Sequence, residues 1–316
     1  MPMVREVSLI PTLKPGDGVE LVAPSSAISG DDIKKSIKLL KSWELVPHVQ
    51  PFWESTPPHP LYSNEDELRF KGLSLALSSP HSKAVWVLRG GCGATRLIPR
   101  LFEWSRSLAS VPAPKLLIGF SDVTALHTFL IQEWNWPTLH APNLRDLVAE
   151  RVTPSSIQSL KDILLGSRKA IEETDLIPLN DLARQHAIIE APLVGGNHSV
   201  LQYSIGTSWQ LDCRGKILFL EDVNEQAYRI AERLEHFLQA GLFNSVRAIL
   251  FGDYNYTPEH TPEDPSKLEY VLKYFAAGVS VPVFKMPGYG HDRVNKPLFM
   301  GKMARLETGM VSSLKI

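Results

Sequence analysis

Apolar residues in the first half of the chain come in short runs, each followed by a segment with apolar positions near helical spacing. The run Val19–Ala23 (VELVA) predicts a buried strand that ends at Pro24-Ser25-Ser26. Asp31–Trp43 predicts a helix with Ile33, Ile37, Leu40 and Trp43 on one face, and Asp31 and Asp32 at its positive N-terminal end. Ala84–Leu88 (AVWVL) predicts a second strand, breaking into Arg89-Gly90-Gly91-Cys92-Gly93. Leu116–Phe120 (LLIGF) predicts a third, running through Ser121-Asp122-Val123-Thr124 into a helix over Ala125–Trp134. Alternation of this kind is the signature of parallel strands joined by helices. Ligands of open parallel sheets bind outside the carboxyl ends of the strands, where turns distant in sequence can meet.

From Val152 to Gln185 the pattern becomes more polar, with one helix expected over Ile157–Leu165 and little strand signal. The expected division is an N-terminal α/β domain over 1–165, a linker over 166–186 and a smaller β-rich domain over 187–316. In the last of these, Ala187–Val194 is apolar but holds Pro192, and Gly195-Gly196-Asn197 follows. Lys216–Leu220 (KILFL) predicts a strand leading to Glu221-Asp222, and Val246–Phe251 predicts another. Between them a helix is expected over Tyr228–Leu242, with Ile230, Leu234, Phe237 and Leu238 on one face. The last forty residues are rich in Pro and Gly and predict turns and short strands.

Composition narrows the function. With 316 residues, 44% hydrophobic and 21% charged, the chain can bury two cores. A net charge of -1 gives no basic field for nucleic acid. The N-terminal stretch lacks the apolar centre of a secretory signal and no run is long enough to span a membrane, so a soluble cytoplasmic protein is expected. Cys92 and Cys213 stand far apart, outside any CxxC pair. The ten histidines form no HExxH or comparable ligand spacing, so neither metal nor other cofactor is expected.

Ser121, at a strand-to-helix junction, fits two roles. Ser leads the N-cap position, yet a helix N-terminus also supplies free amides and partial positive charge to an exposed nucleophile. GxSxG is absent, since Val123 replaces its second glycine. The Arg89–Gly93 turn is neither a P-loop nor GxGxxG, and it reads equally as a tight structural turn. Cys92 has nothing beside it in sequence to lower its pKa, so a turn cysteine is the simpler reading. Glu221 alone could be a surface carboxylate and His291, in Gly288-Tyr289-Gly290-His291, a solvated loop histidine. With a poised serine, the two supply the base and the orienting carboxylate that acyl transfer needs.

Six segments in order, over roughly 17–301, resemble the LD-carboxypeptidase (muramoyltetrapeptide carboxypeptidase) family of serine peptidases, a group that includes the microcin C self-immunity peptidases. They are GVELVAPSS, AVWVLRGGCGATRLIP, GFSDVTALH, APLVGGNHSVLQYSIGT, ILFLEDV with AYRI, and GYGH. The resemblance implies Ser121 as nucleophile, Glu221 and His291 as its partners, and the amides of Gly91 and Asp122 as oxyanion hole. It further implies a homodimer without cofactor that releases terminal D-alanine from cytoplasmic muropeptides at an L-to-D bond. The alternative it carries is cleavage of a peptidyl-adenylate conjugate. Arg89 and Asn197, in two of the matching segments, are the candidates for substrate binding. The chain departs from the family at Cys92, often aromatic there, at Asp292-Arg293, and at Pro297, shifted within Asn295–Gly301.

Overall fold

Strand β1 (Gly18–Val22) is buried at every position, as is β4 (Leu116–Gly119), and β3 (Ser82–Val87) is buried at all but one. Burial at consecutive positions requires cover on both faces, the condition of a parallel sheet. In the computed structural model, which describes residues 12–51, 53, 58–257 and 259–316, the chain divides into two compact units at Lys169/Ala170. Within the first unit the strand order is β5-β4-β3-β1-β2, with β2 at Val46–Val49 and β5 at Thr138–His140, and all these pairings are parallel.

Six helices alternate with these strands: α1 (Gly30–Ser42), α2 (Asp66–Ser78), α3 (Ile98–Ser107), α4 (Thr124–Trp134), α5 (Leu144–Val148) and α6 (Pro154–Leu164). Ser29 caps α1 by accepting the Asp32 amide, and Thr153 caps α6 ahead of Pro154. Trp43, expected inside α1, is its C-cap. The pattern gave no signal for β2, whose four positions are exposed or half-buried.

The second unit carries one sheet in the order β6-β14-β13-β8-β9-β10-β11-β7. Its parallel centre is β8 (Ala187–Asn197), β9 (Ile217–Val223), β10 (Ala248–Asn255) and β11 (Val283–Lys285). Antiparallel β13 (Met303–Thr308) and β14 (Ser313–Lys315) extend it from β8, after the short β12 (Leu298–Met300). The segment read as a linker in fact supplies β6 (Glu172–Glu173), paired with β14, and β7 (Ile177–Pro178), paired with β11, then α7 (Asp181–Arg184). Two-residue strands are too short to show a period, which is why a polar stretch concealed them.

β8 runs three residues beyond its apolar stretch, through Gly195 and Gly196, and Pro192 sits in register with Met303. A Cβ on Gly195 would stand 1.9 Å from the Phe219 carbonyl oxygen, so only glycine lets β8 lie against β9 there. β9 likewise continues past KILFL, and Glu221 and Asp222 are strand residues, both buried. Helix α8 (His198–Gln202) follows β8, α9 (Ala227–Gln239) follows β9, and α10 (Pro265–Gly278) follows β10. On α9, Ile230, Leu234 and Phe237 are buried, but Leu238, expected beside them, is exposed. No described helix is long and apolar enough to cross a membrane.

Candidate active site

The turn after β4 holds Ser121 in an unusual backbone conformation. Phe120 is extended, and Ser121 then takes φ of +67° and opens a single 3₁₀ turn over Ser121–Val123 that leads into α4. An N-cap residue has extended backbone and bonds an amide two or three residues on. Ser121 does not have that backbone, since its φ is left-handed and Phe120, not Ser121, stands at the N-cap of the 3₁₀ turn. Left-handed backbone costs a residue with a Cβ about 1–2 kcal/mol. Backbone strain of this kind persists only where surrounding structure holds it, and here it carries a half-buried hydroxyl. Among the described residues of the first unit its Oγ makes no hydrogen bond.

The Arg-Gly-Gly turn after the adjacent strand β3 meets this one. A Cβ on Gly90 would lie 3.1 Å from Ser121 Cβ, and the Asp122 carboxylate accepts the Ala94 amide at 2.8 Å. Burial pushes the Asp122 carboxyl above its ordinary range, against the bond from the Ala94 amide and the charge of Arg69. Gly91 has φ of +107° and a Cβ there would stand 2.3 Å from Ser26 Oγ, so glycine is required. The amides of Gly91 and Asp122 find no acceptor among the described residues of the first unit. Free amides beside a strained serine are what an oxyanion site needs.

In the second unit, His291 Nδ1 donates to Glu221 Oε2 at 2.6 Å. Glu221 is fully buried and His291 partly so. This bond fixes the imidazole's tautomer and leaves Nε2 as the acceptor. Backbone holds the pair: Asp253, on β10, donates its amide to Tyr289 O at 2.8 Å and accepts the Gly288 amide on Oδ2 at 2.9 Å. Burial, aided by Asp292 and Glu221, raises the Asp253 carboxyl to about 6.

Asn197 stands behind Glu221. Its Nδ2 donates to Asp222 Oδ1 at 3.1 Å and to Glu221 Oε1 at 3.4 Å, while Oδ1 caps α8 by accepting the Val200 amide at 3.1 Å. Both ends of this buried amide are thus engaged with carboxylates and with a helix. Asp222 also accepts the Ser199 amide and hydroxyl, at 3.0 and 2.6 Å, and has Arg233 3.6 Å away. Arg233 pairs in turn with Glu225 at 2.7 Å. Arg89, the other substrate candidate, is half-buried and donates to the Ala27 carbonyl at 2.6 Å; burial, with Arg145 and Arg151 nearby, weakens its hold on its proton. Asp222, Arg233 and Asp253 were missed in the sequence because a charged residue at a strand end or helix face reads as solvated. The signal available was Asp222 directly after a carboxylate in an apolar run. No cluster of three metal-ligating side chains is assembled among the described residues.

Residues 19–141 match the family model for the LD-carboxypeptidase N-terminal domain, and residues 190–306 match that for the C-terminal domain. A relative from Rickettsia conorii is 40% identical over 247 residues, covering 78% of this chain and 75% of its own. The murein tetrapeptide carboxypeptidase of Pseudomonas aeruginosa is 32% identical over 307 residues, covering 94% of this chain and 95% of its own. Among solved structures, the MccF-like protein of Bacillus anthracis superposes with a TM-score of 0.83 at 20% identity, over 98% of this chain and 99% of the other. Muramoyltetrapeptide carboxypeptidase from Oxalobacter formigenes gives 0.77 at 23% identity, over 95% and 98%.

Proposed function

The chain belongs to the LD-carboxypeptidase family, and on that premise we propose that it is a serine-type LD-carboxypeptidase acting on muropeptides. The peptidase class follows from the family; the roles and the substrate are the proposal. The observation that carries it is the 2.6 Å bond from His291 Nδ1 to the fully buried Glu221 carboxylate.

Ser121 Oγ attacks the scissile carbonyl carbon while His291 Nε2 takes its proton, and the carbonyl electron pair moves onto oxygen. Glu221 holds the ring and stabilises the imidazolium that forms. The free amides of Gly91 and Asp122 donate to the oxyanion. Collapse of the tetrahedral species expels the amine of D-alanine, which takes the proton from His291. Water then repeats the sequence on the acyl-enzyme and restores Ser121. None of these steps draws on a cofactor. The substrate class is supported by the Pseudomonas aeruginosa relative, named for the murein tetrapeptide. Recycled muropeptides are met in the cytoplasm, which is the setting we propose, with a homodimer as the working form.

The test is a side-by-side hydrolysis assay of an LD-tetrapeptide, its all-L epimer and a peptidyl-adenylate conjugate, with fluorophosphonate labelling to locate the nucleophile. Release of D-alanine from the LD peptide alone, with label on Ser121, is the expected result. Reversing the terminal centre misplaces the carbonyl, and an error of about 1 Å costs on the order of a hundredfold. Preference for the conjugate would transfer the chain to the immunity branch. Equal cleavage of the epimers would end the stereochemical claim.

A further inference from the structure

Asn143 occupies the N-cap position of α5, with φ of -68° and ψ of 160°, yet makes no capping bond. Asparagine at that position ordinarily satisfies a helix amide. Here the side chain turns instead toward the end of β4, where Oδ1 accepts the Phe120 amide at a long 3.4 Å. Because Phe120 offers an N–H, the oxygen must face it, and Nδ2 must face the other way. That way lies the Arg-Gly-Gly turn. A Cβ built on Gly90 would be 3.2 Å from Asn143 Nδ2 and 3.3 Å from Ser121 Oγ. The missing Cβ therefore leaves a space bordered by the serine hydroxyl and by an amide donor. Asn143 is only 2% exposed, and its Nδ2 donates to no partner among the described residues of the first unit.

The segment bearing Asn143 is firmly held. Ala141 donates its amide to Gly119 O at 3.1 Å, Trp86 Nε1 donates to Pro142 O at 3.0 Å, and Arg145 donates its amide to Leu88 O at 2.9 Å. These bonds tie it to the ends of β3 and β4, the strands whose turns carry Gly90 and Ser121. A donor fixed in this way needs no reorganisation when charge develops beside it.

We propose that Asn143 Nδ2 is a third donor of the oxyanion site, bonding the oxygen of the acyl group attached to Ser121, so that Asn143 is a catalytic residue. The inference rests on the reading of Ser121 as nucleophile. In the step it serves, the Ser121 Oγ–carbon bond forms, the serine proton passes to His291, and the carbonyl π pair becomes the oxyanion that Nδ2–H meets.

The test compares wild type with Asn143→Ala and Asn143→Asp, which keeps an oxygen for the Phe120 amide but removes the donor. Each is assayed for kcat and KM on the LD-tetrapeptide, for affinity toward a peptide boronate that forms a tetrahedral adduct with serine, and for affinity toward the product tripeptide. Loss of a side-chain donor of this kind costs about 10²–10³ in kcat. The expected result is that fall in kcat in both variants, a parallel loss of boronate affinity, and KM and product affinity within about threefold of wild type. Near-wild-type kcat in either variant overturns the proposal. So does equal weakening of boronate and product, or recovery of activity in Asn143→Asp, since either would make the residue structural. Fluorophosphonate labelling of wild-type Ser121 separates the two failures: with no label the nucleophile assignment falls, and the inference with it.

Discussion

Gly290 lies against Glu221: a Cβ on Gly290 would come within 3.1 Å of Glu221 Oε2 and 3.2 Å of the Asp253 carbonyl oxygen. Its φ of +138° is accessible to glycine and rarely to other residues. The residue before His291 therefore has no side chain so that the imidazole can reach the carboxylate. Gly290→Ala must either push Glu221 aside or move the loop. We expect kcat/KM to fall about 100-fold, the scale of a 1 Å misplacement. Stability should fall by about 1–3 kcal/mol from backbone strain. Steady-state kinetics and urea unfolding measure the two. An active, fully stable variant would contradict the packing.

Ser121 sits in strained backbone, so stability and activity should separate there. Ser121→Ala should lose several orders of magnitude in kcat while remaining folded. Ser121→Gly should lose as much activity but relieve the left-handed strain at φ of +67°, melting higher than Ser121→Ala. The difference should be about 1 kcal/mol, read by thermal or urea denaturation. Equal stabilities would mean that the turn carries no strain.

Asp253 makes stability depend on pH. Burial, first among its causes, lifts the carboxyl from 3.8 to about 6 in the folded chain. Between those values the folded state holds a proton that the unfolded chain has released, so stability falls as pH rises through the window and levels off above it. Asp253→Asn keeps an oxygen for the Gly288 amide and removes the charge. Its stability relative to wild type should be unchanged near pH 4 and higher by roughly 1–3 kcal/mol at pH 8, as a shift of this size implies. Urea melts at four pH values test this; a difference that does not vary with pH would refute it.

Much of the scaffold was legible because parallel strands buried on both faces appear as unbroken apolar runs. Leu116–Gly119 and the neighbourhood of Ser121 are clear for that reason. What escaped was decided by partners distant in sequence. β9 continues through Glu221 and Asp222 because Asn197, Ser199 and Arg233 satisfy carboxylates that would otherwise end a buried strand. β6 depends on β14, about 140 residues later, and its own composition says nothing of the pairing. Asn143 looks like any helix cap until the β4 turn is placed beside it. Glu221 and His291 were found by resemblance to a family; their spacing alone could not join them.

Arg233 is the counter-charge of a buried carboxylate. It lies 3.6 Å from Asp222, whose carboxyl is raised by burial and is only 2% exposed. Arg233→Met should destabilise the chain by about 3–5 kcal/mol, since removing one partner leaves a buried charge uncompensated. Adding Asp222→Asn should restore a large part of the loss. A double-mutant cycle by chemical denaturation gives the coupling; additive effects would show that Asp222 is supported by Ser199 and Asn197 alone.

The two cysteines differ in a way that has practical use. Cys213 is buried, and desolvation pushes its thiol up to about 12, so the native protein shields it from electrophiles. Cys92 is free and exposed in the Arg-Gly-Gly turn, its sulfur 3.9 Å from Ser26 Oγ, two residues beyond the Gly90 that borders Ser121. A maleimide or disulfide reagent should therefore consume one thiol in the native protein and two after denaturation. The unmodified chain thus carries a single natural thiol attachment point for a fluorophore beside Ser121. Occupancy of the site could be followed optically in the wild-type enzyme, without an engineered residue.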